Sequence, residues 1–87
     1  MSEHERRLHA WVLTTCRDLG LPVRNDEDDF FEAGGTSLTA ARLIARAEEA
    51  FGEDALPPED LFVGSTVGEL VVTLARNVPA TTGDHER

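Results

Sequence analysis

Three apolar stripes of helical period organise this chain, and no stretch alternates apolar with polar residues as a half-buried strand would. Leu8, Trp11, Val12, Thr15, Cys16 and Leu19 fall at spacings of 0, 3, 4, 7, 8 and 11, which puts them on one face of an α-helix. Ser2 and Glu5 stand in capping-box register at its start, and Gly20 with Pro22 marks its stop. A second stripe, Ala40, Leu43, Ile44, Ala47 and Phe51, begins near Ser37 and stops at Gly52. The third is Val67, Leu70, Val71 and Leu74, with Thr66 and Glu69 in capping-box register before it, Pro79 beyond it and Gly68 as a weak position. Between the second and third, "PPEDLF" places prolines at a first turn and acids just after, the chemistry of a short helix. The expected fold is all-α: a four-helix bundle of three longer helices and one short one.

Packing alone must hold such a bundle together. At 87 residues the chain is one domain that hides only about 60% of its unfolded surface, too little for an elaborate buried active site. The single cysteine, Cys16, cannot form an intramolecular disulfide, and no second Cys or clustered His offers a zinc set, so no metal is expected. On the first apolar stripe, Cys16 reads as a small core residue. A formal charge of −9 repels phosphate backbones and anionic lipid heads, which argues against nucleic acid and membrane surfaces and for basic protein faces. The N-terminus has no uninterrupted apolar segment of the kind a signal peptide needs, so the chain reads as cytoplasmic. Residues 1–78 form the expected domain, and the aperiodic 79–87 reads as a flexible tail.

One feature exceeds a minimal bundle. The first connection, from Gly20 to Thr36, is longer than the roughly 2 to 8 residues usual between bundle helices, and long loops tend to be functional. Leu21, Val23, Phe30 and Phe31 are expected to pin it to the core. Its acids, Asp26, Glu27, Asp28, Asp29 and Glu32, fail the calcium-loop register because Phe30 occupies a ligand position, so they read as a solvated loop that attracts partners. Gly34 and Gly35 let the backbone turn and deliver Ser37 uncrowded to the start of the second helix.

Several chemistries are open to a serine there. Either Ser37 or Thr36 can cap the helix, although neither has an acidic partner three residues on, since Thr39 and Ala40 stand there. A catalytic nucleophile needs a base and an orienting acid. His4 and His9 fall at or near the exposed beginning of helix one and His85 in the tail, and "GTSLT" lacks the second glycine of a nucleophile elbow. "GGTS" is no phosphate loop either, because the chain contains no lysine. No residue is expected to be catalytic.

"DDFFEAGGTSL" resembles the attachment motif of phosphopantetheine carrier proteins, in the D-x-F-F-E-x-G-G-x-S-L form of the peptidyl carriers of nonribosomal peptide synthesis, and "LPPEDLFVGSTVGELVVTL" resembles the same family's later helices. The likeness covers about residues 5 to 76. It implies an acyl-carrier-like bundle in which Ser37 accepts 4′-phosphopantetheine from coenzyme A through an external, magnesium-using phosphopantetheinyl transferase. The arm's thiol, rather than Cys16, would then hold an aminoacyl or acyl thioester. Implied partners are that transferase, an adenylation or other loading enzyme, and condensation, tailoring or thioesterase enzymes. Ala33 replaces the family's usual Leu, and Asp29 stands where Asn is frequent. Thr36, Leu38, Ala41, Arg42 and Ala45 lie beside Ser37 and off the core stripe, as either a docking face or a partly buried edge. Further acids, Glu48, Glu49, Glu53, Asp54, Glu59 and Asp60, add negative charge that can speed encounter with basic partners. The initial Met and short flanks suit a free-standing monomer and equally a domain cut from a larger synthase. Rival readings are an acyl carrier for polyketide or fatty-acid assembly, and an acidic helical interaction module in which Ser37 merely caps.

Overall fold

A computed structural model describes residues 2–79, so the expected tail, Pro79 apart, lies outside the described residues. The order is α1 (Glu3–Asp18), α2 (Ser37–Phe51), α3 (Pro58–Val63) and α4 (Val67–Asn77). Among the described residues there is no strand, only an isolated bridge between Asp29 and Thr66.

Each helix starts and stops where its local chemistry directs. Ser2 caps α1, its Oγ accepting the Glu5 amide at 3.1 Å while Glu5 Oε1 accepts the Ser2 amide at 3.1 Å. Thr66 and Glu69 form the same reciprocal pair before α4, with both bonds at 3.1 Å. At the other end of α1 the Gly20 amide donates to Arg17 and the Leu21 amide to Cys16, each at 2.9 Å. That paired closure needs the left-handed backbone of Gly20, φ +92°, and turns Leu21 inward. Pro58 opens α3, where a missing amide costs nothing, and Glu59 and Asp60 stand at its positive end.

α4 lies along α1, and α2 touches α1 and α3. His4 Nε2 at the start of α1 meets the Val78 carbonyl beyond the end of α4 at 2.8 Å, so these two helices run in opposite directions. The core is Leu8, Val12 and Cys16 from α1, Ala40, Leu43 and Ala47 from α2, Leu61 from α3, and Val67, Leu70, Val71 and Leu74 from α4. Trp11 closes one edge, its ring meeting Phe51 edge-on at 5.0 Å. His4 and His9 are not merely at an exposed helix start as expected: both are half-buried and hold distant segments, His9 Nε2 through Asp26 Oδ1 at 2.6 Å. The signal was hidden because their partners lie far along the chain.

Cys16 is wholly buried, and desolvation pushes its thiol up to about 11. The fold therefore favours the neutral thiol. Its contribution to stability is complete below the thiol's ordinary value of 9.0 and declines as pH rises from there toward 11. Iodoacetamide at neutral pH is expected to leave Cys16 unmodified in the folded protein and to alkylate it fully in denaturant, as read by intact mass.

Candidate functional site

The connection between α1 and α2 is built from the inside by apolar anchors and from the outside by carboxylates. Leu21, Val23 and Phe30 are buried in the common core. Asp28 Oδ2 accepts the amides of Arg24 at 2.8 Å and Asn25 at 3.0 Å. Asp29 Oδ2 accepts those of Phe31 at 2.9 Å and Glu32 at 3.0 Å, while its Oδ1 accepts the Ser65 hydroxyl at 2.6 Å. These bonds favour the charged carboxylates: the Asn25 and Arg24 amides hold Asp28 below its ordinary pKa, and the Ser65 hydroxyl, then the Glu32 and Phe31 amides, do so for Asp29. The expected solvated acidic run is thus corrected. Asp26, Asp28 and Asp29 fold the loop, and Glu27 and Glu32 stay exposed.

The same loop is stitched to the start of α4 by main-chain bonds. The Phe30 amide donates to the Ser65 carbonyl at 2.8 Å, Val67 to Asp28 at 2.9 Å, and Gly68 to Asp26 at 3.0 Å. Gly68 is more than a weak helix position, because a β-carbon there would lie 3.3 Å from Asp26 Cβ. The first two amides of α4 are consumed in this contact.

Phe30 carries the next step. A β-carbon at Gly35 would lie 2.5 Å from Phe30 Cε2 and 2.7 Å from the Phe30 carbonyl oxygen, closer than packed atoms approach. Gly35 therefore lies flat on the buried ring, its amide donating to that carbonyl at 3.0 Å, and only a side chain of hydrogen fits. This corrects the expectation that Gly35 simply frees the turn; Gly34, with φ +118°, does that. Phe31, half-buried, meets Phe30 edge-on at 5.1 Å and stacks on Phe62 of α3 at 5.4 Å.

α2 then begins with Thr36 as its cap. Thr36 Oγ1 accepts the Thr39 amide at 3.2 Å and meets Thr39 Oγ1 at 3.0 Å. Ser37 is the first helical residue and exposed, and among the described residues its hydroxyl has no hydrogen-bond partner. The Ser37 and Leu38 amides likewise find no acceptor among the described residues. No acid stands in the first turn of α2, whereas α1 and α3 each have two and α4 has one. An exposed hydroxyl thus sits beside two open amides at the positive end of a helix of 15 residues, with no carboxylate in the helix's own first turn to repel an anion.

The family model described as "Phosphopantetheine attachment site" matches residues 12–74. The chain belongs to this phosphopantetheine attachment family. It is similar to phosphinothricin tripeptide synthetase PhsC of Streptomyces viridochromogenes, 47% identical over 62 residues that make up 71% of this chain and 5% of that protein. A linear gramicidin synthase of Brevibacillus parabrevis is 56% identical over 43 residues, 49% of this chain and 1% of that protein. Cytosolic 10-formyltetrahydrofolate dehydrogenase of Mus musculus is 29% identical over 66 residues, 76% of this chain and 7% of that protein. The chain thus spans a small fraction of each relative. The family's covalent group is 4′-phosphopantetheine, and its all-α acyl-carrier fold is the one seen here. The residues fit such a group: a phosphodiester needs an accessible hydroxyl and favours free amides at a helix start, and α2 offers both.

Of the candidate docking residues, Leu38 is 62% exposed, and Ala41, Arg42 and Ala45 are exposed beside it. The partly buried alternative does not hold. Thr36 is exposed, with its hydroxyl occupied in capping. Phe62, 54% exposed and stacked on Phe31, is a large exposed apolar side chain that the sequence did not single out, because a short helix has too few turns to show which face is outward.

Two outcomes follow for the loop. Gly35→Ala is expected to cost about 1–3 kcal/mol in denaturant unfolding, since both ring and carbonyl must shift. Because Asp28 and Asp29 have lowered values, the stability they contribute is present above their ordinary pKa of 3.8 and is lost as pH falls through the lower folded values. Acid titration followed by amide NMR should accordingly release residues 28–35 first, whereas Asp29→Asn should retain a bond to Ser65 and shift this onset.

Proposed function

We propose that Ser37 is the attachment point of 4′-phosphopantetheine and that the chain is a peptidyl or aminoacyl carrier of nonribosomal peptide or related natural-product synthesis, its carrier unit spanning residues 1–78. The observation that carries the reading is the division of labour at the start of α2, where Thr36 caps and Ser37 remains free. The Ser37 Oγ attacks phosphorus, displacing the nucleotide part of coenzyme A. Its proton passes to the transferase; His4 and His9 are both committed to other segments. The chain is in this sense a substrate rather than an enzyme. Once joined to Ser37, the group supplies a thiol on a long flexible arm. The Ser37 and Leu38 amides would be the donors available to its phosphodiester, and the loop packed on the core holds the start of α2 in place.

Leu38, Ala41, Arg42 and Ala45 form the face on which the transferase and a loading enzyme alight, followed by condensation, tailoring or thioesterase enzymes. An exposed leucine among small side chains supplies an apolar anchor with little to obstruct it. The negative surface of the remaining chain favours partners with basic faces. The tripeptide synthetase and the gramicidin synthase among the relatives support peptide assembly as the setting.

Incubation with coenzyme A, magnesium and a broad-specificity phosphopantetheinyl transferase is expected to add one phosphopantetheinyl mass to the wild type and none to Ser37→Ala. No addition to the wild type would overturn the carrier reading, and addition to the alanine variant would overturn the site.

A further inference from the structure

The packing of α1 on α4 leaves a groove of about 490 Å³, reaching from Glu5 and His9 of α1 to Gly68, Glu69, Val71 and Val72 of α4. Its floor is apolar: Val71 is buried, while Val72 is 60% exposed at the edge. Three carboxylates line it, and each has one oxygen committed to the fold. Glu5 Oε1 and Glu69 Oε1 close the capping boxes at 3.1 Å, and Asp26 Oδ1 holds His9 Nε2 at 2.6 Å. Among the described residues, the second oxygen of each carboxylate has neither a hydrogen bond nor an ion pair. His9 is the only lining side chain able to carry positive charge, and it already faces Asp26. A smaller groove of about 260 Å³ shares Glu69 and Val72 and runs on to Val63, which makes Val72 a ridge between two depressions.

We propose that this α1–α4 groove is a docking surface for a basic, aliphatic segment of a partner protein. An aliphatic side chain seats against Val71 and Val72, and flanking arginines or lysines meet the outward oxygens of Glu5, Asp26 and Glu69. Charge decides the occupant. A second copy of a chain with net charge −9 would bring the same carboxylates face to face in a symmetric pair. A basic segment instead neutralises three anions around an apolar floor. Neither groove includes a residue of α2, so a segment held here leaves Ser37 and Leu38 uncovered. The surface therefore suits a standing tether, while partners exchange at the Ser37 face.

The test uses the full unmodified chain, labelled with ¹⁵N and titrated with a short synthetic peptide of arginine and leucine, alongside a counterpart carrying glutamate for arginine. The expected shifts centre on His9, Gly68, Val71 and Val72, occur only with the basic peptide, and weaken with salt. Val72→Glu is expected to weaken binding about tenfold or more, as loss of an interface anchor does. Glu69→Gln keeps the capping geometry and is expected to weaken binding with a shallower salt dependence. Shifts centred on Leu38 or on the acidic end of α2, no shifts at all, or unchanged affinity in Val72→Glu would each overturn the proposal. So would concentration-dependent shifts in the absence of peptide, which would make a second copy the occupant. The titration needs no group on Ser37, and Val72→Glu is expected to be loaded by the transferase at the wild-type rate, so failure here and failure of the carrier reading are separate results.

Discussion

The contact of Gly35 with the ring of Phe30 is the constraint on which the rest of the site depends. The ring is buried among side chains from several segments, and the chain crosses directly over it with no space for a β-carbon. Two residues later α2 begins. The position of Ser37 is therefore set by a core aromatic rather than by a flexible glycine hinge. Close packing of this kind transmits position because interiors resist small displacements. The second aromatic, Phe31, carries the same constraint outward through its stack on Phe62, so the same loop also packs against α3.

The two helices that meet this loop are treated in opposite ways. α4 has a reciprocal cap, an acid in its first turn, and leading amides bonded to the carbonyls of Asp28 and Asp26. Its start is electrostatically closed. α2 has a threonine cap, no acid and two open amides. Its start is left ready for an anion, and the Ser37 hydroxyl is not spent on capping. The positive end of a helix attracts negative charge only where nothing negative already occupies it, so the missing acid at α2 matters as much as the serine that is present.

The helices were legible in the sequence because their information is local. Stripe, cap and stop all lie within a few residues of one another, as Ser2 with Glu5 and Thr66 with Glu69 show. The family was legible through a compact motif, the one that also singles out Ser37 as the candidate residue. The loop was legible in its apolar anchors Leu21, Val23 and Phe30 but not in its polar and aromatic ties, whose partners are distant: Asp29 needs Ser65, Asp26 needs His9 and Gly68, and Phe31 needs Phe62. Along the chain, five acids look like solvated surface, and a glycine pair looks like a hinge. Their structural roles appear only when segments about 36 residues apart are brought together, as Asp29 and Ser65 are.

The claim that α2 is held open at its start is tested most directly by amide hydrogen exchange, resolved residue by residue on the unmodified protein. The Ser37 and Leu38 amides are expected to exchange at nearly the rate of an unstructured chain, while those of Val67 and Gly68, at the equivalent positions of α4, are expected to be strongly protected by their bonds to the loop. Equal protection at the two helix starts would contradict it.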